Sequence, residues 1–122
     1  MHRCVEVRIG SAERALWVSF SDGTNFRIPH ELLRVFSPSA EVRCHDGSWD
    51  IPPRRRGVLV KKAEPVGNYA LRLCFDDGHD TGLYSFELLH DLGTNKFKHM
   101  REYVRELKRQ GKARRRLVSK KT

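Results

Sequence analysis

The side chains that could bind a metal ion through sulfur or an imidazole nitrogen include three cysteines and two histidines of the predicted strands and turns. They are Cys4, Cys44, His45, Cys74 and His79. Thiolate and imidazole groups are common zinc ligands, but these residues lack the spacing of a zinc knuckle or ribbon, and no CxxC pair occurs. Cys44 and Cys74 also fall in strand patterns, where a buried free thiol is ordinary. Cys44, Cys74 and His79 are therefore weak metal candidates, and no cofactor is expected, with zinc as the alternative.

Three carboxylates surround His79 in one predicted turn, at Asp76, Asp77 and Asp80. Carboxylates can bind a divalent cation, but these do not have the spacing of a calcium-binding loop. Asp and Gly are also the residues that hairpin turns favour. Turn formation is therefore the simpler interpretation of this cluster.

Catalysis by side chains needs a nucleophile beside a base, or a paired acid and base. The chain contains no GxSxG motif, no P-loop and no HxD…H iron-binding triad of the 2-oxoglutarate oxygenases. We therefore expect this protein not to be an enzyme.

Basic residues form two clusters. The first is a run of three arginines, and the second includes another such run near the C-terminal end: Arg54, Arg55, Arg56, Arg114, Arg115 and Arg116. The net charge is +9, and residues 107–122 hold eight Lys or Arg and no acid, so the rest of the chain, with 16 basic and 15 acidic residues, balances to +1. Arginines near an aromatic residue such as Trp49 can bind nucleic acid through phosphate contacts and stacking. Nucleic-acid binding is thus an alternative function.

The elements that must position these residues come in two copies. Residues 15–33 and 70–89 share an Ala-Leu pair, a Phe, an Asp-Gly turn and a Glu-Leu-Leu sequence, at an offset of 55 to 56 residues. Alternating apolar residues predict strands on both sides of each Asp-Gly turn, and each Glu-Leu-Leu lies in a predicted short helix. The predicted fold is α+β: a mainly antiparallel β-sheet built from two similar strand–turn–strand–helix units, followed by a C-terminal helix.

Three segments follow from these patterns. Residues 1–93 form the folded body, in which residues 40–45 predict a further short strand and Gly93 ends the second short helix. Residues 94–110 form an amphipathic helix, and residues 111–122 form a disordered basic tail.

The amphipathic helix carries a stripe of apolar residues at helical spacing: Phe97, Met100, Val104 and Leu107. Such a stripe is typical of a helix that packs on a sheet, which is the prediction here. Docking of a protein partner along the stripe is the alternative.

Three widely separated cysteines are not typical of a secreted disulfide framework. The chain begins with no apolar signal segment, and no apolar run reaches the length of a membrane span. We expect a soluble, cytoplasmic protein with reduced thiols and no membrane partner. Whether it is a monomer or a homodimer stays open.

The chain resembles a known family over about residues 5–93. The resemblance rests on the sequences Trp17…Phe20-Ser21-Asp22-Gly23…Phe26-Arg27-Ile28-Pro29…Glu31-Leu32-Leu33-Arg34, Ser37-Pro38-Ser39-Ala40-Glu41, Pro65-Val66-Gly67-Asn68-Tyr69-Ala70-Leu71 and Phe75-Asp76-Asp77-Gly78-His79-Asp80-Thr81-Gly82-Leu83-Tyr84-Ser85. Together these motifs resemble the gamma-butyrobetaine hydroxylase-like N-terminal domain.

The resemblance implies a structural role rather than catalysis. In the hydroxylases this domain precedes a catalytic iron domain that this chain lacks, and it is a dimerisation module whose zinc is held by three cysteines and a histidine. The family's cysteines would fall near residues 36–44, where this chain has Ser37, Pro38 and Ser39, while His79 matches the histidine. Similar domains are also fused to P-loop ATPases that carry iron–sulfur clusters, which implies an adaptor beside metal-cofactor assembly.

The function predicted from the sequence is a small non-enzymatic binding module that recruits or regulates a protein partner, with a link to iron–sulfur assembly. The predicted partner surface is Trp17, Trp49, Arg54, Arg55, Arg56, Asp77 and His79. Two alternatives stand beside it: a nucleic-acid-associated basic protein that uses the six arginines, and a zinc-binding accessory domain.

Overall fold

The protein is described here by a computed structural model that covers residues 2–43 and 48–114. Strands and helices in these residues follow the order β1(Cys4–Gly10), β2(Ala15–Phe20), β3(Asn25–Pro29), α1(His30–Val35), β4(Val60–Val66), β5(Ala70–Phe75), β6(Gly82–Ser85), α2(Phe86–Thr94) and α3(Lys96–Arg109). The predicted α+β class is confirmed. No helix in the described ranges is long and apolar enough to cross a bilayer.

The strands form two antiparallel three-stranded sheets, β1-β2-β3 and β4-β5-β6. The central strands β2 and β5 share one alternation of buried and half-buried positions, so each sheet turns its apolar face to the core. The first strand of each sheet also has a register shift at the matching place, between Cys4 and Glu6 and between Val60 and Lys62. The sequence repeat is therefore a structural repeat, as the sequence predicted.

The two Asp-Gly turns have the same geometry. Gly23 and Gly78 adopt φ values of +88° and +90°, which glycine tolerates because it has no Cβ. In each turn the aspartate carboxylate accepts the backbone N–H two residues later, at 2.9 Å for Asp22 and 3.1 Å for Asp77. Each turn thereby fixes the aspartate beside the end of its hairpin.

The helices α1 and α2 follow β3 and β6 directly. The Ser85 hydroxyl accepts the Leu88 N–H at 3.1 Å and caps α2, as predicted. The prediction that Gly93 ends this helix is wrong, because α2 continues to Thr94. A Cβ at Gly93 would lie 2.3 Å from the Phe26 ring, so glycine is needed there for the close approach of α2 to β3.

One core joins both units. The Tyr84 hydroxyl of β6 donates to the Leu33 carbonyl of α1, so the second sheet is bonded to the helix of the first unit. From the C-terminal helix α3, Tyr103 and Leu107 enter this core. The largest fully buried side chains come from both sheets and all three helices, and include Leu16, Ile28, Leu32, Leu33, Leu73, Tyr84, Leu89, Leu92 and Tyr103.

Two local predictions differ from the structure. Residues 40–43 form a turn and one isolated bridge, between Arg43 and Trp49, instead of a strand, and Cys44 and His45 lie outside the described residues. The stripe of α3 is divided: Leu107 is buried as predicted, whereas Phe97 and Val104 are exposed. Tyr103 is the residue that turns to the core beside Leu107, because it lies about one helical turn away on the same face.

Replacing Gly93 with alanine tests the close approach of α2 to β3. We expect Gly93→Ala to lower the free energy of unfolding by about 1 kcal/mol, because overpacking against Phe26 exceeds the gain in helix propensity. Urea denaturation measures this change. The matched control Lys98→Ala, at an exposed position of α3, should leave stability within about 0.5 kcal/mol. Equal stability of Gly93→Ala and the wild type would contradict the prediction.

Candidate functional site

Asp77 is clamped by two arginines from outside its own hairpin. The Nε atoms of Arg34 and Arg55 each lie 2.8 Å from Asp77 Oδ2. Burial opposes ionisation of this carboxyl, but the His79 backbone N–H and the Arg34 guanidinium together hold the pKa of Asp77 below its ordinary value. Asp77 therefore anchors helix α1 of the first unit to the turn of the second.

The reciprocal contact links helix α2 to the turn of the first unit. His90 occupies the position in α2 that Arg34 occupies in α1, and its Nε2 lies 3.2 Å from Asp22 Oδ2. Phe20 packs edge-on against His90 at 5.0 Å, as Phe75 packs under Arg34 at 6.0 Å. Hydrogen bonds from the Thr24 hydroxyl and N–H lower the pKa of Asp22 to about 2. Sequence reasoning missed both pairs, although superposing the two repeats aligns their members.

His79 is buried in a network of hydroxyl groups. Its Nε2 lies 2.8 Å from the Ser37 hydroxyl, and its Nδ1 lies 2.8 Å from the Glu41 carboxylate. Because that carboxylate can only accept, Nδ1 carries a proton that it donates to Glu41. The Ser39 hydroxyl is in turn bonded to Thr81 at 2.8 Å. His79 thus has hydrogen-bonding partners at both ring nitrogens.

This corner does not fit the zinc site that the resemblance implies. Serine hydroxyls stand where thiolates would be needed, and hydroxyl oxygen is a poor zinc ligand. The described thiols lie elsewhere: Cys4 in β1 and Cys74 in β5, both half-buried and free. Cys44 lies outside the described residues. The structure therefore does not bring Cys74 together with His79 in any metal-binding group within its described ranges.

The two predicted tryptophans are half-buried, and both make contacts within the protein. Trp49 donates its Nε1 hydrogen to the Val35 carbonyl at 2.8 Å and packs on Phe36, with Arg43 over its ring at 4.8 Å. Trp17 lies under Arg8, with 5.1 Å from the guanidinium carbon to the ring centre. Trp49 thus supports the loop after α1.

The structure brings Arg114, the first residue of the second arginine run, beside the first arginine run. The backbone N–H of Arg54 donates to the Ala113 carbonyl at 2.8 Å, and that of Arg56 donates to the Arg114 carbonyl at 3.2 Å. Residues 111–114, predicted as the start of a disordered tail, therefore lie along the loop that carries the first cluster. Arg115 and Arg116 lie outside the described residues.

Among the described residues of the two arginine runs, some guanidinium groups are neutralised by a carboxylate and others are not. The Arg114 guanidinium binds both carboxylate oxygens of Glu31, at 2.6 and 2.9 Å, and the Tyr103 hydroxyl donates to the same carboxylate at 2.7 Å. Burial and this carboxylate raise the pKa of Tyr103. With Arg55 paired to Asp77, the exposed members among the described residues are Arg54 and Arg56.

Helix α3 exposes an apolar stripe bordered by basic residues. Phe97 is 73% exposed and Val104 is 43% exposed, with Met100 half-buried between them. The basic border consists of Arg101, Arg105 and Lys108. In the described part of the chain, no carboxylate forms an ion pair with these three cations. Sequence reasoning identified these apolar positions but assigned them to the core.

Comparisons with known proteins agree with this fold. The family model described as "Gamma-butyrobetaine hydroxylase-like, N-terminal" matches residues 7–90. Two solution NMR structures are each 36% identical to this chain, with TM-scores of 0.81 and 0.82. The first match covers 100% of this chain and 92% of the other protein's chain. The second match covers 98% of this chain and 94% of the other protein's chain. Among curated proteins, no match is found.

A third similar structure is a crystal structure of a protein from Acidithiobacillus ferrooxidans. It is 34% identical, has a TM-score of 0.63, and covers 75% of this chain and 92% of that one. That protein is described as a DUF971 family member of unknown function.

Acid titration tests the clamp on Asp77. Because the folded-state pKa of Asp77 is lowered, its stabilisation is complete above about pH 4, the unfolded value, and is lost as pH falls through the folded value. We expect Asp77→Asn to lower the free energy of unfolding at pH 7 by about 1–3 kcal/mol, because Arg34 and Arg55 lose their anion.

The variant should also show a shallower loss of stability than the wild type below about pH 4. Chemical denaturation at a series of pH values measures both effects. Asp80→Asn, in the same turn at an exposed position, is the matched control and should follow the wild type. An Asp77→Asn profile that runs parallel to the wild type would refute the clamp.

Proposed function

This chain belongs to the gamma-butyrobetaine hydroxylase-like N-terminal domain family, and on that premise we propose that it is a cytoplasmic, non-enzymatic module that binds a partner protein. The single observation that carries the proposal is the apolar stripe of α3, in which Phe97 and Val104 are exposed and Met100 lies half-buried between them. Exposed apolar patches with a polar border are typical of protein interaction sites.

The position of the stripe supports docking rather than folding. The opposite face of α3 already meets the core through Tyr103 and Leu107, and His99 is bonded to Asp91 of α2 at 2.8 Å. The helix is therefore held in place without Phe97 and Val104. Large apolar side chains that the fold does not need are available as anchors for a partner.

The charges beside the stripe favour a partner with acidic residues. Arg101, Arg105 and Lys108 border it and have no ion-pair partner among the described residues. An amphipathic helix with apolar residues flanked by Asp or Glu would complement both features. A second copy of this chain would instead oppose two rows of cations, so the proposal commits to an acidic helical segment of another protein.

The surface proposed here differs from the one that the sequence predicted. Asp77 and His79 have hydrogen-bonding partners within the fold, and Trp49 packs on Phe36. The predicted link to iron–sulfur assembly, or to regulation of a partner enzyme, rests on the resemblance and stays a prediction. The free Cys4 and Cys74 thiols support a reducing compartment.

A pair of model peptides tests the docking surface. The first is an amphipathic helix with an apolar face and Glu flanks, and the second has Lys in place of every Glu. Titration into the full chain, followed by backbone NMR, should shift α3 resonances around Met100 with the acidic peptide only. A Phe97→Ala/Val104→Ala variant should weaken this binding by about tenfold or more, because two anchors are lost.

The control variant is Val5→Ala, which removes another exposed apolar side chain, on β1, and should bind like the wild type. Circular dichroism should show both variants folded, since none of the altered side chains is in the core. Equal shifts with the two peptides, or shifts that avoid α3, would refute the proposal.

Nucleic-acid binding is a second candidate, favoured by the exposed cations Arg54 and Arg56. The loop that carries them contacts residues 113 and 114, at the start of the second arginine run, through the backbone N–H groups of Arg54 and Arg56. A row of cations along one face is the electrostatic footprint of a phosphate-binding surface.

Arg54→Gln/Arg56→Gln tests this second candidate. Fluorescence anisotropy with a single-stranded oligonucleotide should show weaker binding, and the slope of log affinity against log salt should fall by about 1 for each lost contact. Arg8→Gln removes an exposed cation on β1 and serves as the control. An unchanged slope in the double variant would refute a role for this cluster.

A further inference from the structure

Three possible metal ligands from different parts of the fold lie close together: His2, Asp22 and His90. His2 precedes β1, Asp22 lies in the turn after β2, and His90 lies in α2. One ligand atom from each residue lies within 4.8 Å of the others. His90 Nε2 is 3.2 Å and His2 Nε2 is 3.9 Å from Asp22 Oδ2. Ligands about 2.1 Å from a tetrahedral zinc ion are separated by similar distances.

The remaining polar atoms of the group are held by neighbours. His2 Nδ1 lies 2.7 Å from Glu87 Oε2, and His90 Nδ1 lies 3.3 Å from the Thr94 hydroxyl. Metal-binding histidines typically have a carboxylate or other oxygen on the second ring nitrogen, which fixes the ring orientation. Both histidines here have that outer contact, and both direct Nε2 to the same carboxylate oxygen.

The Nε2 atom of His2 is the ring nitrogen that is available to a metal ion. The Glu87 carboxylate can only accept a hydrogen bond, so His2 Nδ1 carries a proton. His2 Nε2 lies 3.9 Å from Asp22 Oδ2, and a bound metal ion would replace any proton on His2 Nε2 or His90 Nε2.

The second unit shows how the carboxylate equivalent to Asp22 is neutralised. The equivalent carboxylate, Asp77, is bound by the permanent positive charges of Arg34 and Arg55. At Asp22 the corresponding contacts come from His90 and His2, whose imidazole rings, unlike guanidinium groups, carry no permanent positive charge. A divalent cation bound to both rings would supply the positive charge that the arginines supply at Asp77.

We propose that His2, Asp22 and His90 form a binding site for a divalent transition-metal ion of the zinc class. Two imidazole nitrogens and one carboxylate oxygen suit zinc, and they do not suit magnesium or calcium, which take oxygen ligands. The side chains of His2, His90 and Asp22 are 34%, 16% and 41% exposed, so solvent can supply a fourth ligand. The site is separate from the His79 corner and from α3.

Metal binding would rearrange the two rings. They stack nearly parallel with centres 3.5 Å apart, so the in-plane bonding directions of the two Nε2 atoms do not meet at one point. To meet at one ion the rings must tilt apart, a movement open to the partly exposed His2. The ion would then link the start of β1, the first hairpin and α2, and it would stabilise the folded protein because the unfolded chain has no such site.

Zinc titration of the full, untagged chain, stripped with chelator, tests the proposal. Calorimetry should give one ion per chain, and magnesium should give no binding. His90→Gln and Asp22→Asn should each weaken zinc binding by more than about tenfold, and Glu87→Gln should weaken it about 10- to 100-fold as an outer contact. NMR should show zinc-dependent shifts of the ring nitrogens of His2 and His90.

Three control variants assign the site. His99→Gln alters a histidine that contacts Asp91 and Glu102 away from the group, and Cys44→Ser and Cys74→Ser remove the two cysteines among the metal candidates that the sequence predicted. All three should bind zinc like the wild type. Circular dichroism should show Asp22→Asn folded, because its remaining side-chain oxygen can still accept from Thr24. Absence of stoichiometric binding, or binding that survives His90→Gln and Asp22→Asn, would overturn the proposal.

Discussion

Each sheet has three strands among residues 2–43 and 48–114 and one apolar face, and neither sheet could bury that face alone. The two units therefore share a core, and this requirement shapes the other contacts. Helix α1 is bonded to the second sheet through Leu33 and Tyr84, while α2 packs on β3 of the first sheet so closely that Gly93 has no room for a side chain. Because each short helix contacts the sheet of the other unit, the two units form one domain rather than two small ones.

The same packing places the Asp22 and Asp77 carboxylates each against the short helix of the other unit. At Asp77 two guanidinium groups neutralise the charge permanently, and at Asp22 two imidazoles occupy the equivalent contacts. The repeat thus keeps the position of the carboxylate, while the residues around it differ in chemistry between the two units. One half uses the contact to fix the fold, and the other retains groups that can bind a cation. In the sequence, Asp22 has only the structural role of a turn residue. Its proposed role as a metal ligand depends on His2 and His90, which the fold places beside it.

Helix α3 shows how one amphipathic pattern can serve two surfaces. Tyr103 and Leu107 complete the core, and Glu31 then joins Tyr103 and Arg114, so the residues after α3 return along the Arg54–Arg56 loop. The remaining apolar side chains face outward beside unpaired cations. At the His79 corner, hydroxyl groups of Ser37 and Ser39 complete the hydrogen bonding in place of the thiolates that the family resemblance implies. In this chain, then, the corner is held together by hydrogen bonds.

The sequence by itself determined the elements and their repetition. Alternation around the Asp-Gly turns, the Ser85 cap and the helical spacing after residue 95 are local properties, so strands, turns and helices could be predicted from neighbouring residues. The tertiary structure decided which face of α3 is buried, that Gly93 serves a close approach instead of a helix end, and that His2, Asp22 and His90 meet although up to 88 positions separate them in the numbering. These outcomes depend on how one unit packs against the other, and no local pattern of residues encodes that packing.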